Sequence, residues 1–277
     1  MNRVYIGFGS NLGCKVGNIR RAVALLSKED SIQHMELSSF YKTDPVGGVE
    51  QDWFVNAVAR FDTTLAAEEL LSLCLEVERE LKRVRVERWG PRTLDIDILF
   101  YGLEKVTEKD LQIPHPRICE RAFVLVPLLE LDSTLKLEDR ELSDCLVRVA
   151  DQGIERMKPV VAILGASPKP ERYAHLAQQL LMETGHELAL VAPRGEEILG
   201  VSVIDKLGKC QEPVDTVTLY IGSSRVDSVL EDLLEARPRR VIFNPGTEND
   251  SVRSILEREG IETQEACTLV LLRTGQF

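Results

Sequence analysis

The stretch RWGPRTLDIDILFYG, from Arg88 to Gly102, places two aspartates two positions apart inside an apolar, β-branched run. If residues 94–101 form a strand, alternate side chains share a face, so Asp95 and Asp97 project together while Ile96 and its apolar neighbours point the other way. Aspartate is depleted in strands, so a pair of them here needs a reason. The pattern predicts a metal clamp on one face of a sheet.

Cations are concentrated just before this pair, although the chain has a formal net charge of -11. The arginines between positions 79 and 92 are Arg79, Arg83, Arg85, Arg88 and Arg92. Carboxylates beside guanidiniums suit a divalent cation that carries polyphosphate. A solvent-facing strand and a solvated helix face would each explain one feature alone. Their adjacency, with a Gly-Pro turn between them, favours Mg²⁺ and polyphosphate.

Length and composition limit the other possibilities. A chain of 277 residues with 44% hydrophobic residues is long enough for two domains. The six cysteines are scattered without a CxxC pair, so we expect reduced thiols and neither a zinc site nor a disulfide framework. An excess of 45 acidic over 34 basic residues argues against nucleic-acid binding. Without a signal peptide or a long apolar run, we expect a soluble cytoplasmic protein that binds no membrane.

Hydrophobic periodicity gives the first half a β-α-β-β-α-β order. The predicted strands are residues 4–9, 32–41, 54–61 and 94–101, and the predicted helices are residues 18–27, 66–81 and 121–131. This order predicts an α+β, ferredoxin-like domain over residues 1–158, whose antiparallel sheet carries helices on one face and leaves the other face free for a ligand.

The second half alternates strands with helices after the polar stretch ADQGIERMKP. The predicted strands are residues 160–164, 187–191, 216–221 and 240–243, and the predicted helices are residues 171–184, 226–236 and 248–259. Such alternation predicts an α/β, Rossmann-like domain over residues 159–277 with a parallel, doubly wound sheet. The turn after residue 164 lacks G-x-G-x-x-G, so a standard NAD or FAD site is not supported.

The first half resembles the 6-hydroxymethyl-7,8-dihydropterin pyrophosphokinase family. The motif GPRTLDIDI resembles that family's signature, and four further motifs follow its order and spacing: YIGFGSNLG (5–13), SSFYKTDPVG (38–47), WFVNAVARF (53–61) and IPHPRICERAFVLVPLLEL (113–131). The resemblance covers roughly residues 1–158. It implies an enzyme that moves the β,γ-diphosphate of ATP onto the hydroxymethyl group of the dihydropterin and releases AMP.

The resemblance also implies roles at the phosphate end of the site. Asp95 and Asp97 match the aspartates that hold two Mg²⁺ ions, and Asp97 is also a weak acceptor for the substrate proton. Arg83 and Arg92 match arginines that grip the transferring phosphates, so the implied catalytic residues are Arg83, Arg92 and Asp97. The implied ATP-binding residues are Glu78, Arg85, Arg88, Trp89, Arg92, His115 and Arg121. Glu78 is equally well explained as a helix-face glutamate beside Lys82.

At the pterin end, Phe54 and Phe123 match the two aromatic residues that sandwich the ring. Asn56 matches the asparagine that reads the pterin edge, and Thr43 and Val46 lie in a loop whose backbone contributes to the same task. From composition alone either phenylalanine would be a core residue. Asn56 is unexpected in a strand, because asparagine is depleted there.

The second half resembles a small family of CoA-binding, Rossmann-like proteins through ILGASPKPERYAHLAQQLL (163–181), VAPRGEEILG (191–200), PVDTVTLYIG (213–222) and IETQEACTLV (261–270). This implies that CoA or a related nucleotide binds near Gly165, Ala166, Ser167, Lys169, Pro193 and Arg194. Two alternatives remain open: a purely structural second domain, and a regulatory nucleotide-binding protein whose first half is inactive.

Overall fold

The computed structural model describes residues 1–45, 51–81 and 92–277. The chain divides into two compact units, Met1–Met157 (the first unit) and Lys158–Phe277 (the second unit). Some of the site residues implied by the sequence lie outside the described residues: Val46, Arg83, Arg85, Arg88 and Trp89.

The described residues of the first unit form an antiparallel sheet and three helices. Its strands are β1 (Asn2–Ser10), β2 (Ile32–Leu37), β3 (Tyr41–Thr43), β4 (Phe54–Thr63), β5 (Asp95–Tyr101), β6 (Val106–Thr107), β7 (Gln112–Ile113), β8 (Lys136–Leu137), β9 (Arg140–Glu141) and β10 (Ile154–Arg156). Its helices are α1 (Lys15–Leu26), α2 (Ala67–Glu80) and α3 (Ala122–Leu131), with 3-10 segments at Ile118–Glu120 and Leu142–Val149. The main sheet runs β10-β3-β4-β1-β5, and β2 also pairs with β4.

The predicted strand 32–41 is two strands in the structure. Ser38 interrupts it: its hydroxyl accepts a hydrogen bond from the Val58 backbone N–H at 3.0 Å, while its own N–H donates to the Val58 carbonyl. A side chain therefore takes the place of a ladder partner here. Both pieces still pair with β4.

Apolar residues on both faces of the sheet are buried. On one face α1 and α2 pack through Ile19, Leu70 and Val77. On the other face α3 packs through Leu125 and Leu128. The expectation that all helices lie on one face is therefore wrong, because Val58, Leu99 and their neighbours also make the second face apolar. Only the end of that face that carries polar residues is left for a ligand.

A disulfide joins Cys119 to Cys145, with their Cα atoms 5.3 Å apart. This separation is ordinary for a disulfide. The expectation that all six cysteines are reduced is therefore wrong for this pair. The two residues lie far apart in sequence and come together because two 3-10 segments pack beside α3. The other four cysteines remain thiols.

The second unit contains a largely parallel sheet. Its strands are β11 (Val160–Leu164), β12 (Leu188–Val191), β13 (Glu197–Ile198), β14 (Val201–Ile204), β15 (Val214–Leu219), β16 (Arg240–Phe243) and β17 (Glu262–Glu265). Its helices are α4 (Tyr173–Glu183), α5 (Leu230–Ala236), α6 (Asp250–Arg258) and α7 (Thr268–Arg273), with 3-10 segments at Leu207–Lys209 and Ser223–Val229.

The strand order in this sheet is β13-β14-β12-β11-β15-β16-β17. All neighbours are parallel except β13 and β14, which form an antiparallel pair. The prediction of a wholly parallel sheet is therefore corrected at this edge. The sequence reading missed β13, β14 and β17 because strands of only two to four residues carry too little periodic signal. Among the described residues, no helix combines the length and apolarity needed to cross a bilayer.

Candidate active site

The two aspartates of β5 share one face of the first sheet. In the antiparallel register Asp95 lies opposite Gly9 and Asp97 lies opposite Gly7 on β1. A Cβ at Gly9 would lie 3.4 Å from Asn56 Oδ1 and 3.9 Å from the Asp95 Cβ. A side chain there would therefore stand between the amide and the carboxylate. Glycine keeps the centre of this face open.

Polar groups continue on the neighbouring strands. Asn56 on β4 is buried and donates a hydrogen bond from Nδ2 to Thr43 Oγ1 at 2.8 Å. Phe54, two residues earlier on β4, is also buried and faces the guanidinium of Arg92, whose Cζ lies 5.5 Å from the ring centroid. The structure thus brings together four residues to which the sequence assigned pterin or phosphate contacts: Thr43, Phe54, Asn56 and Arg92. They lie on β3, on β4 and just before β5.

Arg92 joins the aromatic and carboxylate parts of the site. Its Nη1 lies 3.0 Å from Asp95 Oδ2. Its Nε is buried without a hydrogen-bond partner in the described part of the chain. A buried guanidinium N–H that lacks a partner is costly unless an acceptor reaches it. An anionic group entering beside Asp95 would supply one.

A buried asparagine that the sequence reading did not single out holds Arg92 in place. Asn11 accepts a hydrogen bond from the Arg92 N–H through Oδ1 at 2.7 Å, and its own N–H donates to the Arg92 carbonyl. Its Nδ2 donates to Gln51 Oε1 at 3.2 Å. Next to it, the Lys15 ammonium lies 2.6 Å from Asp52 Oδ2 and 3.3 Å from the Trp53 ring centroid. The only signal for Asn11 was its place within the motif GSNLG.

On the other side of the carboxylates lie a histidine and an arginine. Arg121 Nη1 is 3.6 Å from Asp97 Oδ2, and its Cζ is 5.6 Å from the Phe123 ring centroid. His115 Nδ1 accepts a hydrogen bond from the Arg117 N–H at 3.2 Å, which leaves Nε2 to carry the proton of the neutral ring. The predicted residues His115, Arg121 and Phe123 therefore border the same site as Asp97.

The charges of this cluster shift its protonation. Although Asp97 keeps 41% of its side-chain exposure, the surrounding protein desolvates the carboxylate. This burial is the largest cause of its raised pKa, and the Asp95 charge adds to it, against the opposing effect of His115 and the arginines. Burial likewise lowers the pKa of His115, and Asp97 counteracts this. Both shifts reflect charges held in a partly desolvated site.

The donor set fits Mg²⁺. The described residues contain no group of three or more His, Cys, Asp or Glu side chains placed for a metal. Mg²⁺ is commonly held by one or two carboxylates, with waters and substrate phosphates completing its shell. Asp95 and Asp97 supply such a pair, and a divalent cation would offset the desolvation and the Asp95 repulsion that together raise the pKa of Asp97.

Glu78 lies on α2 and is buried. Its Oε1 accepts a hydrogen bond from the Ile96 N–H at 2.8 Å. Within the described residues β5 is the edge strand of the sheet and this N–H has no strand partner there, so the glutamate satisfies it. In the described structure Glu78 therefore supports the backbone between Asp95 and Asp97.

In the second unit, the residues implied in ligand binding follow two neighbouring parallel strands. Gly165 directly follows β11, and its N–H donates to the Val191 carbonyl at the end of β12. Its φ is +98°, and a Cβ there would lie 2.7 Å from the Tyr220 carbonyl oxygen. Ala166 and Ser167 continue this turn, and Lys169 beyond it is exposed. Pro193 and Arg194 follow β12 and are exposed as well.

Two family models match the chain. The model of 7,8-dihydro-6-hydroxymethylpterin-pyrophosphokinase (HPPK) matches residues 5–133. A curated 2-amino-4-hydroxy-6-hydroxymethyldihydropteridine pyrophosphokinase of Methylorubrum extorquens is 42% identical over 158 residues, which is 57% of this chain and 100% of that protein. The chain belongs to the HPPK family. A model described as a CoA binding domain matches residues 159–273.

A second curated relative agrees with this assignment. A protein of the same name from Bacillus subtilis is 44% identical over 137 residues, which is 50% of this chain and 82% of that protein. Among solved structures, a crystal structure of an uncharacterized protein is 44% identical, covers 44% of this chain and 100% of that chain, and gives a TM-score of 0.41. The HPPK match ends at residue 133, within the first unit, and the match to the CoA binding domain begins at residue 159, next to the start of the second unit at Lys158.

Replacing Asp97 by Asn should stabilise the metal-free chain at pH 8. The folded-state pKa of Asp97 is raised, so its charged form costs stability above that pKa, and the cost disappears as the pH falls through it. We expect the thermal unfolding midpoint to rise by about 1–3 °C at pH 8 and the gain to shrink toward pH 4.

The matched control is Asp62→Asn. The hydrogen bond from Arg3 is the largest cause of the lowered pKa of Asp62, so its charge stabilises the fold at pH 8 and this contribution is lost at low pH. Asp62→Asn should therefore lower the midpoint at pH 8. A lower midpoint for Asp97→Asn under the same conditions would contradict the raised pKa of Asp97.

Replacing Gly165 by Ala should destabilise the second unit by about 2 kcal/mol, since its positive φ and its approach to Tyr220 both exclude a side chain. Gly222→Ala is the control, because its φ is -61° and nothing lies within 4 Å of its Cβ position. Urea unfolding followed by circular dichroism measures both variants. Equal midpoints for the two would contradict the close approach at Gly165.

Proposed function

We propose that the first unit transfers the β,γ-diphosphate of ATP to the hydroxymethyl group of 6-hydroxymethyl-7,8-dihydropterin and releases AMP. The observation that carries this proposal is the shared sheet face on which Asp95 and Asp97 lie beside Asn56 and Phe54. A carboxylate pair for metal-bound phosphates stands next to a buried amide and an aromatic ring suited to a flat, polar heterocycle. The family membership supports the same activity.

At the pterin end, the Phe54 and Phe123 rings provide stacking surfaces and Asn56 provides the polar edge. Thr43 accepts the Asn56 amide hydrogen bond, so the asparagine has a defined orientation and its Oδ1 is directed to the open face at Gly9. A preoriented amide recognises a pterin edge at low entropic cost. Val46, which lies outside the described residues, belongs to the same proposal through its motif.

At the phosphate end, the hydroxymethyl oxygen attacks the β-phosphorus, the bond from the β-phosphorus to the α,β-bridging oxygen breaks, and AMP leaves. Arg92 beside Asp95 and Arg121 beside Asp97 offer N–H donors and positive charge to the phosphates. His115 offers the N–H of its neutral ring. Asp97 would accept the hydroxyl proton as a weak base. Two Mg²⁺ ions held by Asp95 and Asp97 would neutralise phosphate charge.

The remaining phosphate contacts are assigned by motif alone. Arg83 would grip the transferring phosphates as a catalytic residue, and Arg85, Arg88 and Trp89 would contact ATP from the same segment. Glu78 would act at the nucleotide through the β5 backbone that it supports. Phosphoryl transfer relies on positioning and charge neutralisation, so several arginines around the sheet face that carries Asp95 and Asp97 suit this reaction.

The finer fold assignments belong to the same proposal. In the first sheet the order β5-β1-β4, with β2 and β3 both beside β4, supports a ferredoxin-like arrangement over residues 1–158. In the second, parallel strands on both sides of β11 support a Rossmann-like domain over residues 159–277. The carboxyl ends of such strands are the usual position of a ligand.

We also propose that the second unit binds CoA or a related nucleotide at the turn after β11. The match to a CoA binding domain model supports this, as does the glycine that lets the turn approach Tyr220. Backbone amides at such a turn accommodate phosphate, and the exposed Lys169 and Arg194 add positive charge. Ala166, Ser167 and Pro193 complete the proposed contacts.

A coupled assay for AMP tests the transferase. The chain should form AMP only with ATP, Mg²⁺ and dihydropterin together. Asp95→Asn and Asp97→Asn should each lower kcat/KM by about 1000-fold or more, because the pair holds the phosphates' counter-ions. Asp62→Asn is the control, since Asp62 lies at the far end of β4 and pairs with Arg3. Folded protein that forms no AMP with saturating substrates would refute the proposal.

Titration calorimetry with CoA tests the second unit. We expect saturable heat, and a weaker affinity, by about fivefold, for Lys169→Ala, which removes one exposed charge next to the turn. Lys158→Ala is the control, since Lys158 pairs with Glu187 before β11 begins. Absence of heat in the parent chain would leave the second unit a structural domain.

A further inference from the structure

We infer that Gln152 is a positioning residue for the transfer site and acts by holding Arg121. The inference deepens the proposed function and rests on it for its catalytic consequence. Gln152 lies 31 residues after Arg121 along the chain (152 minus 121), outside every motif that indicated the site. Its amide group nevertheless contacts the two residues on either side of that arginine.

The contact is made at both peptide groups. Gln152 Oε1 accepts a hydrogen bond from the Ala122 N–H at 2.9 Å. Its Nε2 donates to the Glu120 carbonyl, also at 2.9 Å. Arg121 lies between these two residues, so one planar amide restrains the chain on both sides of it. We call this pair of hydrogen bonds the Gln152 clamp. The backbone of Gln152 is itself held by a hydrogen bond to the Val149 carbonyl.

The helix end at Arg121 needs such a partner. The first N–H groups of an α-helix have no acceptor within the helix, and a capping side chain usually provides one. Arg121 is the N-cap residue of α3, and its side chain makes no capping hydrogen bond. A guanidinium has no acceptor atom, so it cannot serve as a cap. Gln152 provides the acceptor from a distant part of the chain, which leaves the Arg121 guanidinium directed to Asp97.

The segment that contains Gln152 reaches the pterin side of the site as well. Strand β10 begins two residues later and pairs with β3, with Ile154 opposite Thr43. Thr43 is the residue that accepts the Asn56 hydrogen bond. The Met157 N–H then donates to the Phe40 carbonyl just before β3. Residues 152–157 therefore brace both the arginine and the asparagine ends of the site.

Gln152 is exposed, so its replacement removes the clamp without opening the core. Gln152→Ala should lower kcat/KM for ATP by about three- to tenfold, the size expected when a few modest hydrogen bonds are lost. The neighbouring exposed residue gives the control, and Asp151→Ala should match the parent chain. Activity of Gln152→Ala equal to that of the parent would overturn the inference.

A double-mutant cycle separates positioning from general loss of structure. If Gln152 acts through Arg121, Gln152→Ala should change kcat/KM by less than about twofold in an Arg121→Ala background. An equal loss in both backgrounds would show that the glutamine acts independently of the arginine, and would overturn the inference. The unfolding midpoint should stay close to the parent's in the single variant.

Amide hydrogen exchange tests the clamp without catalysis. The Ala122 N–H should exchange faster in Gln152→Ala, while the N–H groups of Leu125 and Leu128 inside α3 keep their protection. Unchanged exchange at Ala122 would refute the clamp whether or not the chain forms AMP. If the parent chain forms no AMP but the Ala122 N–H still exchanges faster in Gln152→Ala, the proposed function is refuted and the clamp is supported.

Discussion

The partly desolvated position of Asp97 beside Asp95 is the constraint on which the site depends. Desolvation by the surrounding protein is the largest cause that disfavours the charge of Asp97, and repulsion from the Asp95 carboxylate on the same sheet face adds to it. The fold accepts this cost because Arg92 and Arg121 stand on either side of the pair. Functional sites commonly concentrate such unfavourable electrostatics, which a bound cation then relieves.

The rest of the first unit keeps this pair in position. Gly9 leaves the sheet face open between Asp95 and Asn56, and Glu78 accepts a hydrogen bond from the Ile96 N–H of β5. Asn11 ties Arg92 to the loop after β1. The Glu78 and Asn11 side chains both accept hydrogen bonds from backbone N–H groups, so hydrogen bonds to peptide groups hold the strand and loop that carry the reactive side chains.

The sequence predicted the longer helices and strands because their apolar periodicity is local, and it predicted the Asp-x-Asp face because strand geometry alone determines it. Besides the short strands, two kinds of feature were missed. Asn11 and Gln152 act through contacts between distant segments, and nothing in their local pattern separates them from loop residues. The predictions of reduced cysteines and of helices on one sheet face failed for the same reason. The Cys119–Cys145 disulfide and the packing of α3 both arise when segments far apart in sequence pack together. The motif resemblance supplied roles that periodicity could not.

The most direct test of the central claim is a carboxyl titration of Asp97 by NMR in the metal-free chain. The account predicts a pKa above the ordinary value for an aspartate, which falls when Asp95 is replaced by Asn because one of its causes is removed. The Asp62 carboxyl, held by Arg3, should titrate below the ordinary value in the same spectra. An ordinary or lowered pKa at Asp97, unaffected by Asp95→Asn, would contradict the account.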